Sequence, residues 1–273
     1  MADSPDRALL KELQAFLGDR ARADDFELGL YSKDGSILGD QPSIVCLPTN
    51  TSEVSQIVAT CHRHQRPFIA RGSGTGLAGG AVPVGNPVVI VTTKMNKIIE
   101  VDLDNRIAWV EPGVLNLDLS NELGPLGFHF APDPSSQQVC SIGGNVANNS
   151  GGPHCLAYGV TSGHVAAIEV VLPNGAVTTL GDLTSEAPGY DLRGLFIGSE
   201  GTMGVATKVA VRLTQNPPEV RTLLLDFSDV RDGAAAVSAI IAAGLIPAAL
   251  EMMDQRAIEV VEAFVNAGYP TEA

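Results

Sequence analysis

The residues of this 273-residue chain best suited to chemistry lie in one short run, Arg71-Gly72-Ser73-Gly74-Thr75-Gly76-Leu77-Ala78-Gly79-Gly80. Half of the run is glycine and none of it is acidic. Glycine admits positive φ and lets a ligand come close to the main chain. Successive N–H groups in such a turn form a concave nest for phosphate oxygens. Gly74-Thr75-Gly76-Leu77-Ala78-Gly79 also fits the G-x-G-x-x-G pattern, which is informative only where a helix follows. Here Pro83, Gly85 and Pro87 follow, and proline breaks helix interiors. The next regular stretch, Val88-Val89-Ile90-Val91-Thr92, is β-branched and strand-like. A Rossmann nicotinamide site is therefore disfavoured, and without a Gly-Lys-Ser/Thr a P-loop is excluded. What remains is a loop that cradles a pyrophosphate with backbone amides and returns as a strand.

Other stretches share its character: Ala131-Pro132-Asp133-Pro134-Ser135-Ser136, Ser141 to Gly152 (Ser-Ile-Gly-Gly-Asn-Val-Ala-Asn-Asn-Ser-Gly-Gly), and Gly198-Ser199-Glu200-Gly201-Thr202-Met203-Gly204. Small polar residues at this density cannot build a core. They suit a backbone lying against a flat, polar ligand, and independent flexible linkers explain so many of them poorly. The five histidines, His62, His64, His129, His154 and His164, have no metal-ligand spacing. His62 and His64 read as solvated on a polar helix end, and His154 as structural. Cys46, Cys61, Cys140 and Cys155 are far apart, which speaks against metal or iron–sulfur ligation and for reduced, mostly buried thiols in the cytoplasm. These patterns identify no catalytic residue and no metal site.

The elements that must position these loops follow from periodicity. Residues 4–17 read as an amphipathic helix with Leu9, Leu10, Leu13 and Phe16 or Leu17 on one face. A strand bounded by Pro42 and Pro48 precedes an Asn50 cap, with Glu53 completing a capping box. The helix it starts buries Val54, Ile57, Val58 and Cys61. Pro67-Phe68-Ile69-Ala70 is a strand feeding the glycine loop, so this strand–helix–strand order implies a parallel unit with a right-handed crossover. Strands follow near 88–92, 97–102 and 106–111, then a helix at 116–123. Strands at 165–172 and 176–180 flank Pro173-Asn174-Gly175, where Asn-Gly favours a type I′ turn. A strand at 205–213 ends before Asn216-Pro217-Pro218, a domain boundary. Beyond it the pattern predicts strand 222–227, helix 233–243, strand 248–253 and a helix from Gln255, the opening of a ferredoxin-like layer.

A formal charge of −14 argues against nucleic acid and disfavours anionic membranes as partners. With 45% hydrophobic and 18% charged residues the chain reads as ordered and soluble. The first 17 residues lack an apolar signal core. Ala234–Leu250 is uncharged but broken by Gly244 and Pro247, so it reads as a soluble helix and strand, with no transmembrane segment.

Taken together, the four stretches resemble the vanillyl-alcohol-oxidase-type (PCMH) FAD-binding family over roughly residues 40–216. The extension Pro153-His154-Cys155-Leu156-Ala157-Tyr158-Gly159-Val160-Thr161 is similar to its glycolate oxidase (glycolate dehydrogenase) FAD-subunit branch, kin of D-lactate and D-2-hydroxyglutarate dehydrogenases. The resemblance implies an α+β chain. Residues 1–37 would be a lead-in helix, 38–216 a PCMH-type FAD-binding domain of two α/β subdomains, and 217–273 the start of a ferredoxin-like substrate (cap) domain that is cut short. It also implies that Arg71, Gly72, Ser73, Gly74, Thr75, Gly76 and Leu77 hold the pyrophosphate. Pro132, Asp133, Ser141 and Gly144 would lie along the flavin and ribityl chain, with Asn148, Ser150 and Gly151 at the isoalloxazine edge. Glu200, Gly204 and Val205 would form the remaining wall. Some relatives attach FAD through a histidine in the first loop; Thr75 stands in the corresponding run here, so noncovalent FAD is expected.

The chemistry implied is oxidation of a small 2-hydroxy acid, in which a base takes the hydroxyl proton and hydride passes to flavin N5. The resemblance places a substrate-binding arginine and a divalent-metal site in a C-terminal part beyond Ala273, and implies FAD and iron–sulfur partner subunits of a glycolate oxidase complex. An alternative expectation is an FAD-binding module without turnover, because the substrate domain is incomplete. Either way, an apolar face over residues 222–265 should be left uncovered.

Overall fold

The computed structural model describes residues 5–184 and 189–272. Helix α1 (Pro5–Leu17) starts with proline at a position where its missing N–H costs nothing, and buries Leu9, Leu13 and Leu17; Ser4, where the helix was expected to start, lies outside the described residues. After β1 (Ala21–Arg22) and α2 (Asp25–Leu30) come β2 (Ile44–Cys46), α3 (Thr51–Arg63), β3 (Phe68–Arg71) and β4 (Val88–Val91). These strands form one sheet in the order β1-β2-β4-β3. β2 and β3 both run parallel to β4, and β1 is antiparallel to β2. The β4 run is buried throughout, as a strand covered on both faces must be. Helices α1 and α3 share one core cluster with β2 and β4.

Asn50 caps α3 as expected, its Oδ1 accepting from Glu53 N at 2.9 Å. The other half of the expected box does not form. The Glu53 carboxylate accepts from Thr49 N at 2.7 Å and takes a bidentate ion pair from Arg20 at 2.5 and 2.7 Å, a stronger interaction than a neutral amide offers. That pair holds the Glu53 pKa down at about 2.

The second unit is an antiparallel sheet in the order β5-β6-β10-β8-β9. Its strands are β5 (Ile98–Asp102), β6 (Ile107–Val110), β8 (Val165–Val171), β9 (Val177–Gly181) and β10 (Val205–Arg212). Helices α4 (Asn116–Leu123) and α5 (Ile142–Asn148) pack on it through Leu119, Leu123, Ile142 and Val146. Strands β7 (Phe128–His129) and β11 (Thr214–Gln215) form a small ribbon, and α6 (Cys155–Tyr158) and α7 (Leu192–Phe196) are short helices within connections. The β8–β9 turn differs from the type I′ expectation. Gly175 N donates to Leu172 O at 2.8 Å, and only Gly175 of the turn has positive φ, at 89°. Pro173 fixes a negative φ at the first central position, so the turn is a type I with a glycine bulge.

Beyond Asn216, α8 (Val230–Ala242) and α9 (Gln255–Val265) form, capped by Asp229 and Asp254. The strands expected at 222–227 and 248–253 do not. Both stretches lack ladder partners among the described residues, and two strands alone make a marginal sheet. Leu223, Leu224, Leu225, Leu245, Ile246 and Phe264 are exposed. No described helix is long and apolar enough to cross a membrane.

Candidate cofactor site

Strand β3 ends at Arg71 and delivers the chain into the glycine loop at the edge of the first sheet. The loop lies so close to the N-terminus of α5 that a Cβ on Gly72 would collide with Ser141 Oγ. Ser141 is itself the α5 cap, its Oγ accepting from Gly144 N at 3.4 Å. Gly74 has φ 72°, and a Cβ there would run into the Arg71 guanidinium. On the opposite side Glu200 reaches Gly80, its Oε2 standing 2.6 Å from where a Cβ would be. Gly198 N donates to Val146 O and Glu200 N to Ala147 O, each at 2.9 Å, so the 198–204 turn is stitched to α5.

These segments enclose a cleft of about 380 Å³ between the two sheets, within the range of small-molecule sites. All seven residues expected in the first loop line it, as do Ser141, Gly144, Asn148, Ser150, Glu200, Gly204 and Val205. Pro132, Asp133 and Gly151 lie outside the lining. Pro132 O accepts from Asn116 Nδ2 at 2.8 Å, Asp133 Oδ2 bonds His154 Nδ1 at 2.5 Å, and Gly151 passes close to Cys155 Sγ. Sequence patterning missed Asp34, Thr92, Pro112, Cys140 and Phe196 on the lining. Asn145, inside the Ser141–Gly152 run, lines it as that run suggested; nothing local marks Asp34.

Arg71 is the sole lysine or arginine among the described residues of the lining. It is 8% exposed, donates to Ala81 O at 3.3 Å and stacks on the Tyr31 ring at 5.6 Å. Burial pulls its pKa below the ordinary arginine value, opposed by the charge of Asp34. For Asp34 burial works upward, yet hydrogen bonds from Ser36 and Ala81 and the charge of Arg71 hold its pKa below the ordinary value.

No histidine lines the cleft. His64, expected to be solvated, instead bonds Glu12 Oε2 at 2.7 Å and ties α3 to α1. His129 bonds Asn216 Oδ1 at 2.9 Å and His164 bonds Tyr158 O at 2.8 Å. Among the described residues no group of three or more His, Cys, Asp or Glu is placed to hold a metal ion. Cys46, Cys61 and Cys140 are buried and Cys155 is partly exposed, all as free thiols. Burial pushes the Cys61 pKa up to about 12, which keeps it an inert thiol.

The lining fits a large ligand rich in polar atoms. The glycine-loop amides and Arg71 suit the pyrophosphate of a dinucleotide. A glycine loop at a strand end, walled by a second sheet and its helix, suits a dinucleotide-like cofactor.

Residues 42–181 match the FAD binding domain family, and residues 216–273 match the C-terminal domain of FAD linked oxidases. The chain belongs to the FAD-binding, PCMH-type family of FAD-linked oxidases. It is 46% identical to the glycolate oxidase subunit GlcD of Escherichia coli K12 over 250 residues, covering 91% of this chain and 50% of that protein. It is 36% identical to a D-lactate dehydrogenase of Anaerostipes hadrus over 248 residues, 90% of this chain and 51% of that one. A solved structure of alkyldihydroxyacetonephosphate synthase shares the fold, with a TM-score of 0.83 at 23% identity over 95% of this chain and 50% of that one. The chain spans about half the length of the curated relatives it matches.

Proposed function

We propose that this chain carries the FAD site of an enzyme that oxidises a small 2-hydroxy acid of the glycolate or D-lactate type. The observation that carries the reading is the cleft itself, with its glycine loop, closed to a Cβ at Gly72 and Gly74, and one buried arginine. Kinship to glycolate oxidase and D-lactate dehydrogenase supports the substrate class. In this reading residues 38–216 are the cofactor domain, 1–37 its lead-in, and 217–273 the beginning of a substrate domain.

The amides of Gly72–Leu77, with Ser73 and Thr75 hydroxyls beside them, hold the pyrophosphate, and Arg71 balances its charge. Ser141, Gly144, Asn148 and Ser150 run along the cofactor, and Glu200, Gly204 and Val205 close the far wall. Held noncovalently, FAD would supply the hydride-accepting chemistry of such an oxidation. The wider assembly includes FAD and iron–sulfur partner subunits in the cytoplasm.

Anaerobic mixing of the FAD-loaded protein with glycolate or D-lactate tests this directly. Bleaching of the flavin band by either acid is the expected result. A loaded flavin that neither acid reduces would instead assign this chain a cofactor-holding role without turnover, a reading favoured by the lack of any histidine or lysine in the described lining.

A further inference from the structure

One residue of the cleft lining, Asp34, comes from a segment that sequence pattern leaves without a role. After α2 the chain forms a strap, 31–40, closed on itself by a Lys33–Gly39 bridge and by Asp40 N donating to Ser32 O at 2.9 Å. It meets the glycine loop at three points. Gly35 runs so close that a Cβ would stand 2.9 Å from Thr75 O and 3.0 Å from Gly76 O. Leu38 covers Gly79, its Cδ1 lying 2.9 Å from where a Cβ on that glycine would be. The Tyr31 ring takes the Arg71 guanidinium on its face at 5.6 Å.

Arg71 needs that face. Its guanidinium is buried with a single long hydrogen bond, to Ala81 O at 3.3 Å, and a buried charge is costly unless compensated. An aromatic face attracts a guanidinium by cation–π interaction, more so when desolvated. Because a Cβ on Gly74 would strike the guanidinium, the position of Arg71 sets the position of the turn above it. A loop held in its binding conformation also loses less freedom when a ligand arrives.

We propose that the 31–40 strap is a positioning element for the cofactor. Tyr31 clamps Arg71 under the glycine loop, and Gly35 and Leu38 seat the loop from outside, so that its amides face the cleft ready for a pyrophosphate. This rests on the reading of the cleft as an FAD site.

The test is titration of FAD into the apoprotein of the full chain, followed by flavin fluorescence. Wild-type protein is expected to saturate; failure of wild type to bind would overturn the cofactor reading itself and the strap with it. Tyr31→Leu is expected to weaken binding about three- to thirtyfold, the factor that loss of a partly desolvated cation–π contact represents. Tyr31→Phe keeps the ring and is expected within about twofold of wild type. Gly35→Ala, which pushes the strap off the Thr75 and Gly76 carbonyls, is expected to weaken binding without touching Arg71. Unliganded melting temperatures of the Tyr31 variants should stay within about 2 °C of wild type. Wild-type affinity in Tyr31→Leu, or Tyr31→Phe as weak as Tyr31→Leu, would overturn the clamp. Should Tyr31→Leu fail to fold, wild-type affinity in both Gly35→Ala and Leu38→Ser, the latter at a half-exposed site, would overturn it equally.

Discussion

Gly72 passes against Ser141 with no room for a Cβ between them, so the glycine loop and the cap of α5 are fitted to each other. Gly72→Ala must move one of the two. We expect it to weaken FAD binding at least about tenfold, or ~1.4 kcal/mol. Removing the obstructing hydroxyl should recover part of the loss. In a double-mutant cycle by FAD titration, Gly72→Ala with Ser141→Ala is expected to bind more tightly than additivity of the two single changes allows. Strict additivity would show that the two residues are not coupled.

The Arg20–Glu53 pair makes stability depend on pH. Its hydrogen bonds lower the Glu53 pKa from 4.5 to about 2 in the folded state. A depressed carboxylate pKa stabilises the fold fully above the unfolded value and is lost as pH falls through the folded value. Between pH 6 and pH 3 this one group should cost the wild type about 2 kcal/mol relative to Glu53→Gln. Urea unfolding of both proteins at the two pH values measures it. An equal pH dependence in both would remove the pair from the account.

The β8–β9 turn docks on α3 through its glycine. A Cβ on Gly175 would stand 2.8 Å from Ala59 Cβ and 3.1 Å from Ser55 O, at φ 89°. Gly175→Ala therefore combines backbone strain with overpacking and is expected to destabilise by about 1–3 kcal/mol. Thermal unfolding with wild-type stability in this variant would contradict the docking.

The exposed apolar residues beyond Asn216 should make the chain self-associate. Leu223 is 81% exposed and Phe264 89% exposed, and large exposed apolar side chains of this kind mediate association. Sedimentation velocity is expected to show concentration-dependent association that Leu223→Ser with Phe264→Ser reduces. A wild-type chain that stays monomeric across the concentration range would refute this.

Much of the site was legible because its loops announce themselves. The run from Arg71 to Gly80 and that from Ser141 to Gly152 are too small and polar for a core, and both line the cleft. Local rules also found the Asn50 cap and the apolar faces of α1 and α3. They failed where a distant partner decides. Glu53 turns to Arg20 rather than to its own cap, and Asp34 and Tyr31 join the site only through tertiary packing. Pro173 overrides the Asn-Gly turn preference by fixing φ one residue earlier. The stretches 222–227 and 248–253 have strand composition but no ladder partners, and pairing is what makes a strand.

The central claim is that the glycine loop holds FAD. Visible spectra of purified wild type and Gly74→Val, each after incubation with FAD and removal of the excess, test it most directly. At φ 72°, valine at position 74 is strained and drives its Cβ into Arg71. The account predicts a flavin spectrum retained by wild type and lost by Gly74→Val, with the far-ultraviolet dichroism of the two alike. Equal flavin occupancy in both proteins, or none in a folded wild type, would contradict it.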